Sequence, residues 1–186
     1  MNTNEFDYYL IDLNIQVKKR PQVNIVGQEG DYQDPSMYKL EFENQYTKPF
    51  MADYFFEELV SEKIAEVLIN LNIKGIRLIP TKWVKRQKDR TEKYFYLQID
   101  NEFEVMDKEK SEYEKKRGMY HIEKLVVAEE LLKIPLEKRL VFEMSEEAEV
   151  LFHKSVVDAI MATNPIGFKF KSIGENCEVV VPKLND

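Results

Sequence analysis

The chain has 186 residues, of which 44% are hydrophobic and 12% aromatic, and its formal net charge is −7 at pH 7. This composition can form the core of one folded domain, which argues against global disorder. No apolar run approaches the roughly 20 residues of a membrane helix. The negative charge disfavours a dedicated nucleic-acid binder, because phosphate contacts need a basic surface.

The N-terminal sequence, MNTNEFDYY, lacks the basic region and apolar segment of a signal peptide. The single cysteine, Cys177, cannot form an internal disulfide, which is typical of a reducing compartment. These features predict a cytoplasmic protein.

The first fifty residues contain short strand-like segments separated by turn residues. Strands are predicted at residues 6–13, 23–26 and 38–42, with a loop at residues 27–35. We interpret residues 1–50 as variable N-terminal strands of the same fold as residues 51–186, which form the main α+β domain.

Residues 58–80 form a complete helix-to-strand unit in the sequence. Ser61 is a candidate N-cap, because its hydroxyl can accept from a free amide of the first turn. Ile64, Leu68 and Leu71 recur at helical spacing. Gly75 follows as the residue expected to end the helix, and a strand is expected from there to Pro80.

The segment that follows is strongly basic. Six lysine or arginine residues lie between Lys82 and Lys93, close to Trp83. One interpretation is a nucleic-acid accessory surface, with the tryptophan as a stacking ring. The other, which we favour, is a hairpin loop with a polar, solvated tip.

The middle of the chain is rich in strand signals. Strands are predicted at residues 94–99, 103–106, 122–127 and 139–144, and a short helical turn at residues 128–132. The highly charged residues 108–117 are predicted to form a loop or a short exposed helix.

Four acidic residues lie close together after the last of these strands: Glu143, Glu146, Glu147 and Glu149. Clustered carboxylates can bind a hard cation, but these spacings do not match an EF-hand loop. A solvated acidic surface, suited to docking, is the favoured interpretation.

A second helix-to-strand unit occupies residues 150–173. Ser155 is its candidate N-cap, and Asn164 and Gly167 are expected to end the helix. A last strand is predicted at residues 177–182. The fold class is therefore α+β, with a mostly antiparallel sheet and two main helices, each in a Ser-cap, helix, glycine and strand unit.

The sequence contains no recognisable catalytic or cofactor motif. His121 and His153 are isolated, Cys177 has no neighbouring histidine, and the six glycines form no phosphate-binding loop. His153 is interpreted as a local hydrogen-bonding group. No catalytic residue, metal or cofactor is predicted, although an acid/base pair among the 34 acidic residues leaves an enzyme open.

Several segments together resemble the Imm-eleven-type immunity proteins of bacterial polymorphic toxin systems. They are LVSEKIAEVLINLNIKGIRLIP, YFYLQIDN, VMDKEKSEY, IEKLVV, LVFEM and LFHKSVVDAIMATNPIGFKF, within residues 54–170. The resemblance implies a cytosolic antitoxin that blocks a cognate toxin domain by occlusion, without catalysis.

An inhibitor of this kind needs a contact surface and no active site. Against a basic toxin, Glu143, Glu146, Glu147 and Glu149 are the candidate steering residues. Phe55 and Phe56 are candidate anchors if their rings are exposed. The expected partner is therefore a toxin protein, and neither nucleic acid nor membrane.

Overall fold

A computed structural model describes residues 7–13, 23–26, 39–42, 52–55, 58–83, 93–173 and 178–180. Its helices are α1 (Glu62–Asn70), α2 (Glu129–Leu132) and α3 (Lys154–Met161). Its strands are β1 (Tyr8–Asp12), β2 (Val23–Val26), β3 (Lys39–Phe42), β4 (Tyr54–Phe55), β5 (Leu59–Ser61), β6 (Ile76–Pro80), β7 (Lys82–Trp83), β8 (Tyr94–Ile99), β9 (Glu102–Phe103), β10 (Glu112–Lys116), β11 (Met119–Val126), β12 (Val141–Met144), β13 (Glu149–His153), β14 (Lys169–Ser172) and β15 (Glu178–Val180). None of the described helices has the length and apolarity needed to cross a membrane.

The strands form two larger and two smaller sheets. The first sheet has the order β14-β1-β13-β12-β9, and the second has the order β4-β5-β8-β6. The smaller sheets are β10-β11-β15 and β2-β3-β7. Antiparallel pairs predominate in the two larger sheets, which confirms the predicted α+β class. Strand β1 lies in the first sheet between β13 and β14. The predicted boundary at residue 50, between variable N-terminal strands and the main domain, stays a prediction.

The first sheet is buried on both faces. Val141 and Phe152 pair across β12 and β13 and face a core that includes α1, α3 and the second sheet. Phe142 and Leu151, one residue further along, face a second core that includes β11 and α2. Because successive strand residues point to opposite faces, this hairpin contributes to both cores.

The two main helices begin with different capping residues. Ser61 caps α1 as predicted, since its Oγ accepts from the Ile64 backbone N–H at 3.4 Å. The prediction that Ser155 caps α3 is wrong. His153 is the cap, and its Nδ1 accepts from the Ser155 backbone N–H at 3.2 Å, so the serine lies in the first turn. This confirms His153 as a local hydrogen-bonding group.

Gly75 adopts a left-handed conformation, but it does not end α1. The helix stops at Asn70, and Asn72 is the first residue with positive φ. Gly75, with φ of 77°, lies in the next turn, where a Cβ would overlap the Asn101 side chain. That side chain donates to the carbonyls of Lys74 and Lys138, so the glycine permits a close cross-connection. After α3, Asn164 and Gly167 both have positive φ.

Strands β10 and β13 are among those that the sequence did not predict. Residues 112–116 form β10, which pairs with β11, where a loop or short helix was expected. All five side chains of β10 are exposed, so the sequence carries no apolar alternation there. Strand β13 begins at Glu149, the last acid of the acidic segment, and continues to His153. The predicted loop at residues 27–35, residues 84–92 of the basic segment and Cys177 lie outside the described residues.

Asp53 connects the start of α1 to the segment after α3. Its carboxylate accepts from the Ser61 hydroxyl and from the Ile166 backbone N–H, each at 2.7 Å. It also pairs with Lys63 at 2.7 Å, and only 8% of the residue is exposed. The backbone N–H of Asp53 donates to the Ile166 carbonyl at 2.8 Å, which completes the connection.

We expect Asp53→Ala to lower the free energy of unfolding by about 2–4 kcal/mol, because it leaves buried donors without acceptors. Urea denaturation measures this change. The control is Asp100→Ala, which removes an exposed ion pair with Arg77 and should cost far less. Equal losses in the two variants would contradict the structural role of Asp53.

Candidate functional site

The acidic segment folds into the β12–β13 hairpin and its turn. Glu143 pairs with Val150 on the side of the first core, whereas Glu149 pairs with Met144 on the opposite side. Ala148, with φ of 52°, closes the turn as its N–H donates to the Met144 carbonyl at 2.9 Å. The four carboxylates therefore do not form one cluster. In the described residues, no three His, Cys, Asp or Glu side chains are placed to hold a metal.

Glu146 is buried, so the prediction that it belongs to a solvated surface is wrong. Only 6% of the residue is exposed. Its carboxylate accepts from the backbone N–H of Met106 at 2.8 Å and from that of Val105 at 3.1 Å. A buried carboxylate is tolerated when backbone donors satisfy it. The side chain therefore holds the hairpin turn against residues 105–106. No pattern in the sequence around Glu146 predicts this contact.

Glu147 and Glu149 remain at the surface but lose part of their hydration. Burial raises the pKa of Glu147, while a hydrogen bond from the Ile122 backbone N–H opposes that shift. Burial also raises the pKa of Glu149, and the charge of Lys171 opposes it. Each carboxylate is therefore ionised at a cost to the fold, and a cation brought by a partner would offset that cost.

A polar groove of about 290 Å³ lies where β8 approaches the β12–β13 hairpin. Its lining includes Glu58, Tyr96, Gln98 and Glu143. The Oε1 atom of Gln98 is buried and has no hydrogen-bond partner among the described residues. Burial also raises the pKa of the nearby Tyr54 hydroxyl, with Glu58 adding to the effect. The groove has negative and neutral acceptors, which suit a donor from a partner.

A second groove, of about 270 Å³, lies on the opposite side of the hairpin. We call it the apolar groove. Its lining residues are Leu10, His121, Ile122, Glu123, Leu125, Met144, Glu147, Leu151 and Ile173. Strand β11 lines one side of the groove, and strands β1, β12 and β13 of the first sheet line the other. Six of these nine side chains are apolar, and Glu147 belongs to the hairpin turn.

The predicted aromatic anchors and the basic segment are only partly described. Phe55 lies in β4, where its backbone pairs with Leu59. Its side chain and the whole of Phe56 lie outside the described residues, so their role as anchors stays a prediction. At the end of the basic segment, Lys93 pairs with Glu62 at 2.6 Å, which ties that end to α1.

Comparison with known proteins gave one family. A sequence model of the immunity protein family Imm11 matches residues 7–175, nearly the whole chain. This match confirms the resemblance noted over residues 54–170 and extends it to β1. A search of curated proteins found no match.

We expect Glu146→Ala to lower the free energy of unfolding by about 2–4 kcal/mol, because two buried backbone N–H groups lose their acceptor. Hydrogen exchange at Val105 and Met106 should accelerate as the turn loosens. Glu147→Ala, at the adjacent and exposed residue, is the control and should change stability little. Unchanged exchange at both amides would refute the proposed contact.

The raised pKa values of Glu147 and Glu149 predict a pH dependence. Their folded-state pKa lies above the unfolded value of 4.5, so the ionised side chains disfavour folding at pH 7. The double variant Glu147→Gln with Glu149→Gln should be slightly more stable than the wild type at pH 7. This advantage should vanish below about pH 4, where both carboxyls are protonated in either state. Thermal melts across this range measure it, and a less stable variant at pH 7 would contradict it.

Proposed function

We propose that this chain, which belongs to the Imm11 family of immunity proteins, neutralises a cognate toxin domain by binding it directly, without catalysis. The observation that carries the proposal is the family match over residues 7–175. The bound protein would block the toxin by occlusion, and the proposed place of action is the cytoplasm.

The proposed contact surface is the β12–β13 hairpin. Glu143 lines the polar groove, Glu147 lines the apolar groove, and Glu149 lies on the side of Met144. Together with the net charge of −7, these carboxylates would attract a basic toxin and accelerate its association. Glu146 has a different role, since it holds the turn from inside.

Rigidity supports the same proposal. The hairpin strands pack between two cores, and the turn is bound to residues 105–106. A surface that is already ordered loses little conformational entropy when a partner binds. Phe55 and Phe56 remain proposed anchors, conditional on exposed rings.

The first experiment is to co-purify the tagged chain from cells that carry its natural gene neighbourhood, and then to co-express it with the captured toxin domain. We expect a stoichiometric heterodimer and restored growth, with the toxin intact after release from the complex. A toxin that is chemically modified by the chain would overturn the binding-only mechanism. Growth that stays arrested despite co-expression would overturn the function itself.

The steering role predicts a kinetic effect. Glu143→Lys with Glu149→Lys should slow toxin association by about ten-fold at low salt, with a smaller effect in about 0.5 M salt. Surface plasmon resonance measures the rates. The matched control is Glu66→Lys with Glu137→Lys, two exposed sites away from the hairpin that change the charge equally. An equal slowing by the control would mean that net charge, and not this face, steers the toxin.

A further inference from the structure

We infer that the apolar groove receives an apolar side chain of the toxin domain, and that a lysine or arginine lies beside this side chain in the toxin. The inference rests on the proposed function, because the toxin is the occupant. It adds a defined contact point, which the family match does not supply.

The groove is built from two classes of apolar residue. Leu125, Met144 and Leu151 are buried and form its floor. Leu10 and Ile122 are partly exposed and form its walls. An apolar group inserted against this floor would gain the free energy of leaving water.

The size of the groove limits what can enter it. Its volume of about 270 Å³ lies just below the range of roughly 300–1,000 Å³ that is typical of small-molecule and cofactor sites. One large side chain, or two small ones, fits this space better than a cofactor does. A protein partner that presents a single protruding residue is therefore the matching occupant.

The charges around the groove specify the neighbour of that residue. Glu123 and Glu147 line the groove and are exposed, and Glu149 lies on the same side of the hairpin as Met144. Among the described residues, the basic groups whose charges act on these carboxylates are His121, which acts on Glu147, and Lys171, which acts on Glu149. No lysine or arginine of the described chain forms a salt bridge with Glu123 or Glu147. The carboxylates are in excess, so a basic residue beside the inserted group would be attracted to this rim.

Protein interfaces commonly combine these two features. A few anchors in dry pockets provide most of the affinity, and a surrounding polar ring excludes water and sets the register. Here the floor and walls would hold the anchor, while the rim carboxylates would contact the flanking cation. The rim and the groove are adjacent because Glu147 follows the strand that carries Met144.

The test fills the groove. Ile122→Trp should weaken binding of the captured toxin domain, in a catalytically inactive form, by about 30-fold or more, because the added ring occupies the anchor's place. The matched control is Ile79→Trp, a partly exposed isoleucine on β6 that lies outside the groove. Its affinity should change less than about three-fold. Calorimetry measures both, and circular dichroism confirms that both variants are folded.

A second variant keeps the test valid if Ile122→Trp does not fold. Glu123→Lys with Glu147→Lys changes only exposed side chains, and it should weaken binding about ten-fold, mainly through the association rate. Glu66→Lys with Glu137→Lys is again the control.

Three results would overturn the inference. The first is that the wild type binds the toxin domain and the folded groove variants bind it with the same affinity. The proposed function would still stand in that case. The second is a wild-type homodimer in sedimentation that Ile122→Trp dissociates, which makes a second copy the occupant. The third is a wild type that binds no toxin domain, which removes the proposed function as well.

Discussion

The structure depends on the burial of both faces of the β12–β13 hairpin. Val141 and Phe152 are committed to one core, and Phe142 and Leu151 to the other. This constraint fixes the register, since a slip of one residue would exchange the two faces. It also determines where the acidic residues go, because each carboxylate must follow the alternation of its strand. Four acids that lie close together in the sequence thus become two groove-lining residues, one buried contact and one exposed surface residue.

The sequence predicted those parts of the fold that have local causes. The Ser61 cap, the buried positions Ile64 and Leu68 of α1, and strand β8 all follow from residues close together in the chain, whereas Leu71, predicted on the same apolar face, follows the helix and is exposed. The parts that failed depend on distant residues. Glu146 is buried because the backbone N–H groups of Val105 and Met106 face it from forty residues away. His153 replaces Ser155 as the cap because β13 continues to that histidine, a strand that the acidic pattern concealed.

The candidate site was predictable in composition but not in geometry. That Glu143, Glu147 and Glu149 are surface acids follows from their type. That Glu143 lines one groove and Glu147 the other depends on the β8 and β11 strands, which approach the hairpin from either side. The grooves themselves have no signature in the sequence, because their apolar residues look like any other strand positions. Gly75 is a further example. A glycine is required there because a Cβ would overlap the Asn101 side chain, and not because the residue ends its own helix.

The desolvated carboxylates connect this architecture to binding. A fold that maximised its own stability would leave Glu147 and Glu149 fully hydrated, or would replace them, because burial disfavours their ionised form. Partial desolvation makes them stronger attractors for an external cation, since less water must be displaced when the cation arrives. Glu146 makes the arrangement possible, because its buried hydrogen bonds hold the turn that carries both neighbours. The same turn places this charge beside the apolar groove. The carboxylates would therefore attract a basic residue of the partner, and the groove would bind the apolar residue next to it.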